Sequence, residues 1–336
     1  MKQTLFLKQL ASFFDSFLPH NKNCSKNTIA AYAYGFSTFF QFMSEKYAKP
    51  HYTIDYKDLT PGVFDDYVLW MQKEKHYSAS TQNQRMAAIN SFLKYASRRE
   101  MVAISALNAT VGASTPKVKD AVFPYFTVEE MKVLLRMPKW TNKFGYRDMV
   151  ILSLMYDSGA RAQEICNLRY RDITLGKKSK IILYGKGSKA REVPISADVA
   201  KMIRQYLKEH QLNGNDPLFS SQRAKQMTTA CIRNLVRKYV TLAREECPTL
   251  FKSKNYSPHS FRHSKAVHML EAGVPLIYIR NFLGHESVKT TEVYARVSQA
   301  GLVKALTEHS VKSNIPTSKA EHVPDDNRPD FLKKIL

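Results

Sequence analysis

Cysteine is scarce in this sequence, and its few copies show no sign of pairing. The 336 residues include four cysteines, none of them in a CxxC pair or at a metal-ligand spacing: Cys24, Cys166, Cys231 and Cys247. Scaffolds held together by disulfides and modules built around zinc both need regularly spaced cysteines. The scattered positions therefore favour a reduced, intracellular protein.

Long hydrophobic runs are also missing. The longest apolar region spans Met149–Tyr156, whereas a helix needs about 20 apolar residues to cross a bilayer. The N-terminal residues resemble a signal peptide at first sight, but Lys8 and Asp15 interrupt their apolar stretch. We therefore predict an amphipathic helix that stays in the mature protein, and no membrane partner.

Two common cofactor motifs are absent as well. Gly185-Lys-Gly-Ser lacks the upstream glycine and the Gly-Lys-Ser/Thr order of a P-loop. His259, His263 and His268 lie within one predicted helix, but no HExxH motif and no cysteine accompanies them. A zinc site needs a full set of ligands. We expect neither a nucleotide cofactor nor a metal.

Acidic residues are outnumbered by basic ones. There are 51 Lys and Arg against 29 Asp and Glu, which gives a net charge of +22 and a pI near 9.7. The usual partner of such an excess is a polyphosphate backbone, so we predict a partner of that kind. The alternative is an anionic membrane surface, but the sequence shows no basic amphipathic anchor for it.

The length favours two domains, and the first of them, residues 1–110, is predicted to be a helical bundle. Apolar residues recur there at helical spacing. We place its four helices at Gln3 to Phe17, at Thr28 to about Tyr47, from Thr60-Pro61 onward and from Ser80 onward. The next stretch, 111–122, has small residues, a proline and no periodicity, so we predict a linker.

The second domain, residues 123–310, mixes helix and strand patterns. It opens with Thr127-Val-Glu-Glu130, a capping box at a helix start. A helix predicted from Lys143 to Ser158 ends at Gly159, and Arg161 begins the next one. Residues from Asp198 onward read as helical, and 311–336 form a C-terminal tail.

Three strand patterns interrupt the helices of this domain. They cover Ile173–Leu175, Lys180–Tyr184 and Arg191–Ile195. The last two flank Gly185–Lys189, whose two glycines suit a tight hairpin loop. The predicted fold class is therefore mainly α with a small antiparallel sheet, an N-terminal helical bundle being followed by a mixed α/β domain.

One stretch, Pro258–Tyr294, concentrates residues suited to phosphate chemistry. His259 and Arg262 are three apart and share a helix face. Leu283-Gly-His285 resembles a helix stop, and Tyr294 lies in a further short helix predicted to start near Ser287. An arginine that binds anions, beside two proton-transfer groups and a phenol, favours phosphate chemistry with a tyrosine nucleophile.

Taken with two upstream motifs, this stretch resembles the tyrosine recombinase (phage integrase) family. The upstream motifs are Gly-Ala-Arg161 and the Gly-Lys186-Gly hairpin. The likeness covers residues from about 1 to 310, including an N-terminal bundle similar to that family's core-binding domain, and it matches in order and spacing at six separated positions. These are Arg161, Lys186, His259, Arg262, His285 and Tyr294.

The resemblance implies a role for each position. Arg161 and Arg262 would hold the non-bridging oxygens of a DNA phosphodiester, and Tyr294 would be the nucleophile that forms a 3′-phosphotyrosyl link. The other three site residues would transfer protons or bind the phosphate: Lys186 to the departing 5′-oxygen, His259 with the tyrosine, and His285 on the phosphate. Lys189 competes with Lys186 for the first role, and Glu164 would orient the site.

The resemblance also implies partners and leaves alternatives. Duplex DNA would be held by both domains, and four protomers would recombine two sites through a Holliday junction, with a second, related recombinase as a further candidate partner. We expect a cytoplasmic protein, at the nucleoid when bound to DNA.

Two alternative functions remain open: a catalytically silent DNA-binding protein on this fold, and a type IB-like topoisomerase. The target sequence and the biological role, whether integration, transposition or resolution, are open as well. The tail is either a frayed end or a segment that docks on a neighbouring protomer.

Overall fold

The computed structural model describes residues 3–113, 116, 123–139, 141, 143–185, 189–221, 224–284, 291 and 294. Helices dominate this part of the chain, and a three-stranded antiparallel sheet accompanies them, which confirms the predicted fold class. The chain divides into two compact units, Met1–Ala121 and Val122–Leu336. Most of the predicted linker and the whole predicted tail lie outside the described residues.

The described residues of the N-terminal unit form five α-helices. They are α1 Leu5–Ser12, α2 Lys26–Tyr47, α3 Pro61–Lys73, α4 Ala79–Ala96 and α5 Val102–Val111. The sequence predicted four, so α5 was missed. The predicted starts of α2 and α4 were one or two residues late, because Ser25 and Ser78 are the caps. Their hydroxyls accept hydrogen bonds from the N–H groups of Thr28 and Thr81.

The first helix extends further than predicted, and its second half is a π-helix rather than an α-helix. The α-helix stops at Ser12, and Phe13–Asn21 continues it as a π-helix that contains Pro19. Proline has no N–H to donate to the preceding turn, and wider turns of this kind accommodate such an interruption. The expected end at Phe17 therefore falls inside a continuous helical segment.

Aromatic rings fill the core of this unit. Phe92 of α4 is fully buried, and the ring centroids of Phe6, Phe13 and Phe36 lie 5.2 to 5.5 Å from its own. All three pairs are edge-to-face, the geometry that aromatic quadrupoles favour. Gly35 lets α2 approach α4, because a Cβ atom there would lie 2.8 Å from the Cβ of Ala88.

The second unit contains seven helices within its described residues. They are α6 Val128–Arg136, α7 Lys143–Ser158, α8 Ala162–Asn167, α9 Ala197–Lys208, α10 Thr229–Glu246, α11 Pro258–Glu271 and α12 Leu276–Leu283. The capping box that opens α6 is confirmed. The expectation of continuous helix beyond Asp198 was wrong, because residues 209–221 are irregular and Pro217 pairs with Arg169 in a β-bridge.

The sheet follows the predicted strands to within about one residue. Its strands are β1 Ile173–Thr174, β2 Lys180–Tyr184 and β3 Ala190–Pro194, in the order β1-β2-β3. Ile181 pairs with Val193, and both side chains are fully buried. Alternate residues of β3 therefore face the core, as the period of a half-buried strand requires.

Helix α7 lies in the core of this unit. Five apolar side chains from Val150 to Met155 are completely buried on it, and α9 and α11 both pack against it. No helix among the described residues combines the length and the apolar character needed to cross a membrane. The buried α7 delivers its C-terminal end to the place where the candidate site residues meet.

Candidate active site

The turn after α7 begins the site, and a glycine is required there. Gly159 has a φ of +58°, and a Cβ atom on it would lie 2.7 Å from Cδ2 of Leu283 in α12. A side chain would therefore be strained by the left-handed backbone and would also collide with α12. Two residues later Arg161 stands at the N-cap of α8, as the sequence predicted.

Arg262 of α11 binds this turn and the end of α12 together. Its side chain is buried, Nη1 donates to the carbonyl oxygen of Gly159 at 2.9 Å, and Nη2 donates to that of Leu283 at 2.7 Å. Burial and the nearby charge of Arg161 lower the pKa of Arg262, but a guanidinium stays protonated at neutral pH. It carries five N–H donors, so two carbonyls do not exhaust them.

A buried carboxylate links Arg161 to a second arginine. Glu164 accepts hydrogen bonds from the backbone N–H of Arg161 at 2.8 Å and from its Nη1 at 3.0 Å. Arg191 of β3 binds both oxygens of Glu164 at 2.8 Å. Burial alone would raise the pKa of Glu164, but the bonds from Arg191 and Arg161 outweigh it and lower that pKa. The site therefore contains a fixed carboxylate between two guanidinium groups.

Tyr294 lies in a small apolar cluster beside α11 and α12. Its ring is buried with Val267, Ile279 and Leu283, and Phe123 packs edge-to-face on it at 5.1 Å between centroids. Burial raises the pKa of its hydroxyl, and the charges of Arg262 and Arg161 work in the opposite direction. The phenol is therefore protonated at neutral pH and must lose a proton before it can attack a phosphate.

Among the described histidines, His263 is in contact with this phenol. Its Nδ1 lies 3.0 Å from the Tyr294 hydroxyl oxygen, and the Phe123 ring packs against the imidazole, with the ring planes tilted by 36° and the centroids 4.4 Å apart. Burial and the nearby His259 and Arg262 lower the pKa of His263 to about 4. A neutral imidazole therefore faces the hydroxyl that the sequence assigned as nucleophile.

His259 stands one helical turn earlier on the same face of α11. Its ring centroid is 6.3 Å from that of His263. Burial lowers its pKa, and the charges of Arg262 and Arg161 add to that effect. The sequence interpretation paired His259 with the tyrosine, whereas the hydrogen bond in this structure is made by His263.

Four of the six predicted site residues are thus brought together. The charges of Arg161 and Arg262 act on both His259 and Tyr294, and these residues come from the N-cap of α8, from α11 and from the segment after α12. Lys186 and His285 lie outside the described residues. Gly284 before His285 has a φ of +66° and caps α12, which confirms the predicted helix stop. The helical backbone is described at Thr291 and Tyr294, whereas the predicted start near Ser287 is not.

Sequence reasoning missed two members of this cluster, although each left a signal. Arg191 stands two residues before the buried Val193 in a strand, so alternation directs it toward the core. His263 is four residues after His259 and therefore lies on the same helix face. The sequence interpretation considered that spacing only as a possible metal-binding motif.

The lowered pKa of His263 predicts a loss of stability in acid. The unfolded imidazole has a pKa near 6.5, against about 4 in the folded chain, so the unfolded state binds more protons between these values. Lowering the pH from 7.5 to 5 should remove about 2 kcal/mol of unfolding free energy through this group. Urea unfolding at both pH values should show that His263→Phe loses less unfolding free energy on acidification than the parent does. Equal losses would contradict the lowered pKa of His263.

Comparison with known proteins gives the class to which this fold and site belong. The model of the phage integrase family matches residues 124–300. The model of the phage integrase N-terminal SAM-like domain matches residues 11–100. Together they account for both units, and the chain belongs to the phage integrase family.

Individual relatives agree with this assignment. The tyrosine recombinase XerC of Herpetosiphon aurantiacus is 30% identical over 304 residues, which cover 89% of this chain and 94% of the relative. The crystal structure of the XerH site-specific recombinase bound to a palindromic difH substrate has a TM-score of 0.68 at 19% identity, covering 90% of this chain and 87% of that one. A Tn1549 transposon integrase in complex with a circular intermediate DNA has a TM-score of 0.63 at 16% identity, covering 90% of this chain and all of that one. The chain is a tyrosine recombinase, an enzyme class that cleaves and rejoins DNA strands.

Proposed function

We propose that this protein is a site-specific recombinase that cuts DNA with the hydroxyl of Tyr294. The phenol oxygen forms a new bond to the phosphorus of one phosphodiester, and the bond from phosphorus to the 5′-oxygen breaks. The strand is left joined to the tyrosine through its 3′-phosphate. Because the new ester conserves the energy of the old one, the free 5′-hydroxyl of another strand can reverse the reaction without a nucleotide cofactor.

The observation that supports this most directly is the surroundings of the Tyr294 hydroxyl. It is a buried phenol under the positive charge of Arg262 and Arg161. Attack on a phosphodiester adds negative charge to the non-bridging oxygens, and fixed guanidinium groups stabilise such charge through bidentate hydrogen bonds. A tyrosine placed only for packing would have no need of two arginines from separate helices.

Proton transfer would be divided among the remaining residues. His263 holds the phenol at 3.0 Å, and His259 lies on the same face of α11, so either neutral imidazole can accept the proton that Tyr294 gives up. By the family resemblance, Lys186 protonates the departing 5′-oxygen and His285 binds the phosphate. The residues therefore divide into two arginines for charge, imidazoles for the phenol and a lysine for the leaving group.

The assembly follows from the same proposal. Two protomers bind each site and four form the synapse, strands are exchanged in pairs through a Holliday junction, and a second, related recombinase can occupy half of the positions. Residues 1–110 bind DNA, 123–310 carry the chemistry, and 311–336 dock on a neighbouring protomer. The net charge of +22 supports the DNA partner. We expect the protein to act at the nucleoid in the cytoplasm.

A nicked suicide substrate tests the proposal. The recombination site is first located by footprinting the protein on DNA that flanks its gene. A nick placed just beyond the scissile phosphate lets the short product diffuse away after cleavage, so the covalent complex cannot religate. We expect the protein to form a complex with this DNA that survives denaturing electrophoresis.

The alternatives give different results in the same assay. A catalytically silent DNA-binding protein would protect the footprinted site but form no covalent complex. A type IB-like topoisomerase would relax supercoiled plasmids that lack the site altogether. Either result would replace the proposed function.

A further inference from the structure

Arg191 is a partly buried arginine that the proposed chemistry does not use. It lies in β3, and only 13% of its side chain is exposed. Strand alternation turns it to the core side together with Val193. Burying a guanidinium costs free energy unless its N–H groups are hydrogen-bonded. The partners of Arg191 therefore indicate its function.

Its first partner is Glu164, the carboxylate that also binds Arg161. Arg191 makes two bonds to Glu164 at 2.8 Å, one to each oxygen, whereas the Arg161 guanidinium makes one at 3.0 Å. The Arg161 side chain remains 36% exposed. Arg191 therefore supplies most of the charge that the buried carboxylate needs, and the Arg161 guanidinium is left turned toward solvent and an incoming phosphate.

Its second partner is the C-terminal end of α12. Arg191 Nε donates to the carbonyl oxygen of Phe282 at 3.2 Å, and the next carbonyl, of Leu283, accepts from Arg262. The glycine that follows, Gly284, leaves room for the arginine, because a Cβ atom on it would lie 2.9 Å from Cδ of Arg191. Two guanidinium groups thus hold the turn that leads into His285.

The Glu164–Arg191 pair also lies at the base of the β2–β3 hairpin. A Cβ atom on Gly185 would lie 3.7 Å from Oε1 of Glu164 and 4.0 Å from Nη1 of Arg191. The backbone N–H of Gly185 donates to the carbonyl of Lys189 at 2.9 Å, which closes the loop that carries Lys186. The Glu164–Arg191 pair therefore adjoins three segments that each contribute a site residue.

We propose that Arg191 is a positioning residue of the active site, acting through Glu164. It sets the orientation of the Arg161 guanidinium and fixes the turn before His285 against the base of the Lys186 hairpin. It touches no reacting atom. This inference rests on the proposed function, since it concerns how the same phosphate site is assembled.

The test compares Arg191→Lys with the parent chain on the suicide substrate. Lysine keeps the charge but lacks the rigid planar fork with which Arg191 binds both oxygens of Glu164 and also the carbonyl of Phe282. At saturating DNA, we expect the rate of covalent complex formation to fall about 100-fold, the effect of a misplacement near 1 Å. DNA affinity should stay within about twofold, because the charge is retained. Arg204→Lys, an exposed position on α9, is the matched control and should react at the parental rate.

A double variant separates positioning from folding. Glu164→Gln combined with Arg191→Met removes the whole ion pair and leaves no buried charge unpaired, so its melting temperature should stay near that of the parent. Because Arg191 orients Arg161 through Glu164, the double variant should lose less activity than the product of the two single effects predicts. Parental rates in Arg191→Lys or in the double variant, or effects that multiply, would overturn the inference. A parent chain that forms no covalent complex would instead refute the proposed function.

Discussion

Replacing Tyr294 with phenylalanine should abolish covalent complex formation, lowering its rate by at least about 10⁴-fold. Loss of the nucleophile removes the bond-forming atom itself, and effects of this size are usual for that change. The ring is packed in an apolar cluster, so phenylalanine keeps the packing. It gives up the hydrogen bond to His263, which is worth about 1 kcal/mol. The protein should therefore stay folded and bind DNA with parental affinity.

The matched control is the same substitution at another buried tyrosine. Tyr239 donates from its hydroxyl to Asp148 at 2.9 Å and takes no part in the proposed site. Tyr239→Phe should lose at least as much stability, because its bond is to a carboxylate, but it should still form the covalent complex with the nicked substrate. If Tyr294→Phe retained the complex, the nucleophile would have to be sought elsewhere in the chain.

Replacing Arg262 with lysine should slow cleavage about 10³-fold, since a lysine cannot offer two parallel N–H groups to the phosphate oxygens. Stability should also fall, by roughly 1 to 3 kcal/mol, because one of the carbonyls of Gly159 and Leu283 loses its donor. Single-turnover rates measured well below the melting temperature, with saturating DNA, separate the two effects.

The control for this change is an arginine exposed on α10. Arg237→Lys alters the same functional groups at the surface and should leave both the rate and the unfolding free energy close to those of the parent. A parental cleavage rate in Arg262→Lys would mean that this guanidinium is purely structural. Its two bonds to backbone carbonyls would then be its whole function.

The sequence predicted correctly those helix starts that depend on residues close together in the chain. The Thr60-Pro61 start of α3 and the capping box of α6 are confirmed, because the groups that satisfy the first N–H donors of a helix are adjacent in sequence. Helix α5 was missed because its N-cap, Met101, makes no side-chain hydrogen bond. The first helix was predicted to end at Phe17, whereas it continues in the π form through Pro19 to Asn21.

Within the site, sequence spacing does not predict contacts between segments that are far apart in the chain. Helical periodicity puts His259 and His263 on one face, but it cannot say which of them meets a tyrosine 31 residues further along the chain. Likewise, alternation in β3 indicates that Arg191 faces the core side of the sheet, but it cannot identify the partner Glu164, which lies 27 residues away on a helix. Both contacts join segments that are distant in sequence, so they depend on tertiary packing.

The central claim, that Tyr294 is the nucleophile, is tested most directly by locating the DNA on the trapped protein. The covalent complex is formed on the suicide substrate with EDTA present and no nucleotide, digested with trypsin and nuclease, and analysed by mass spectrometry. Trypsin releases Tyr294 within residues 290–296, between Lys289 and the following cleavage point at Arg296. The account predicts a nucleotide joined through its 3′-phosphate to Tyr294 in that peptide. Attachment to any other residue, or through a 5′-phosphate, would contradict it.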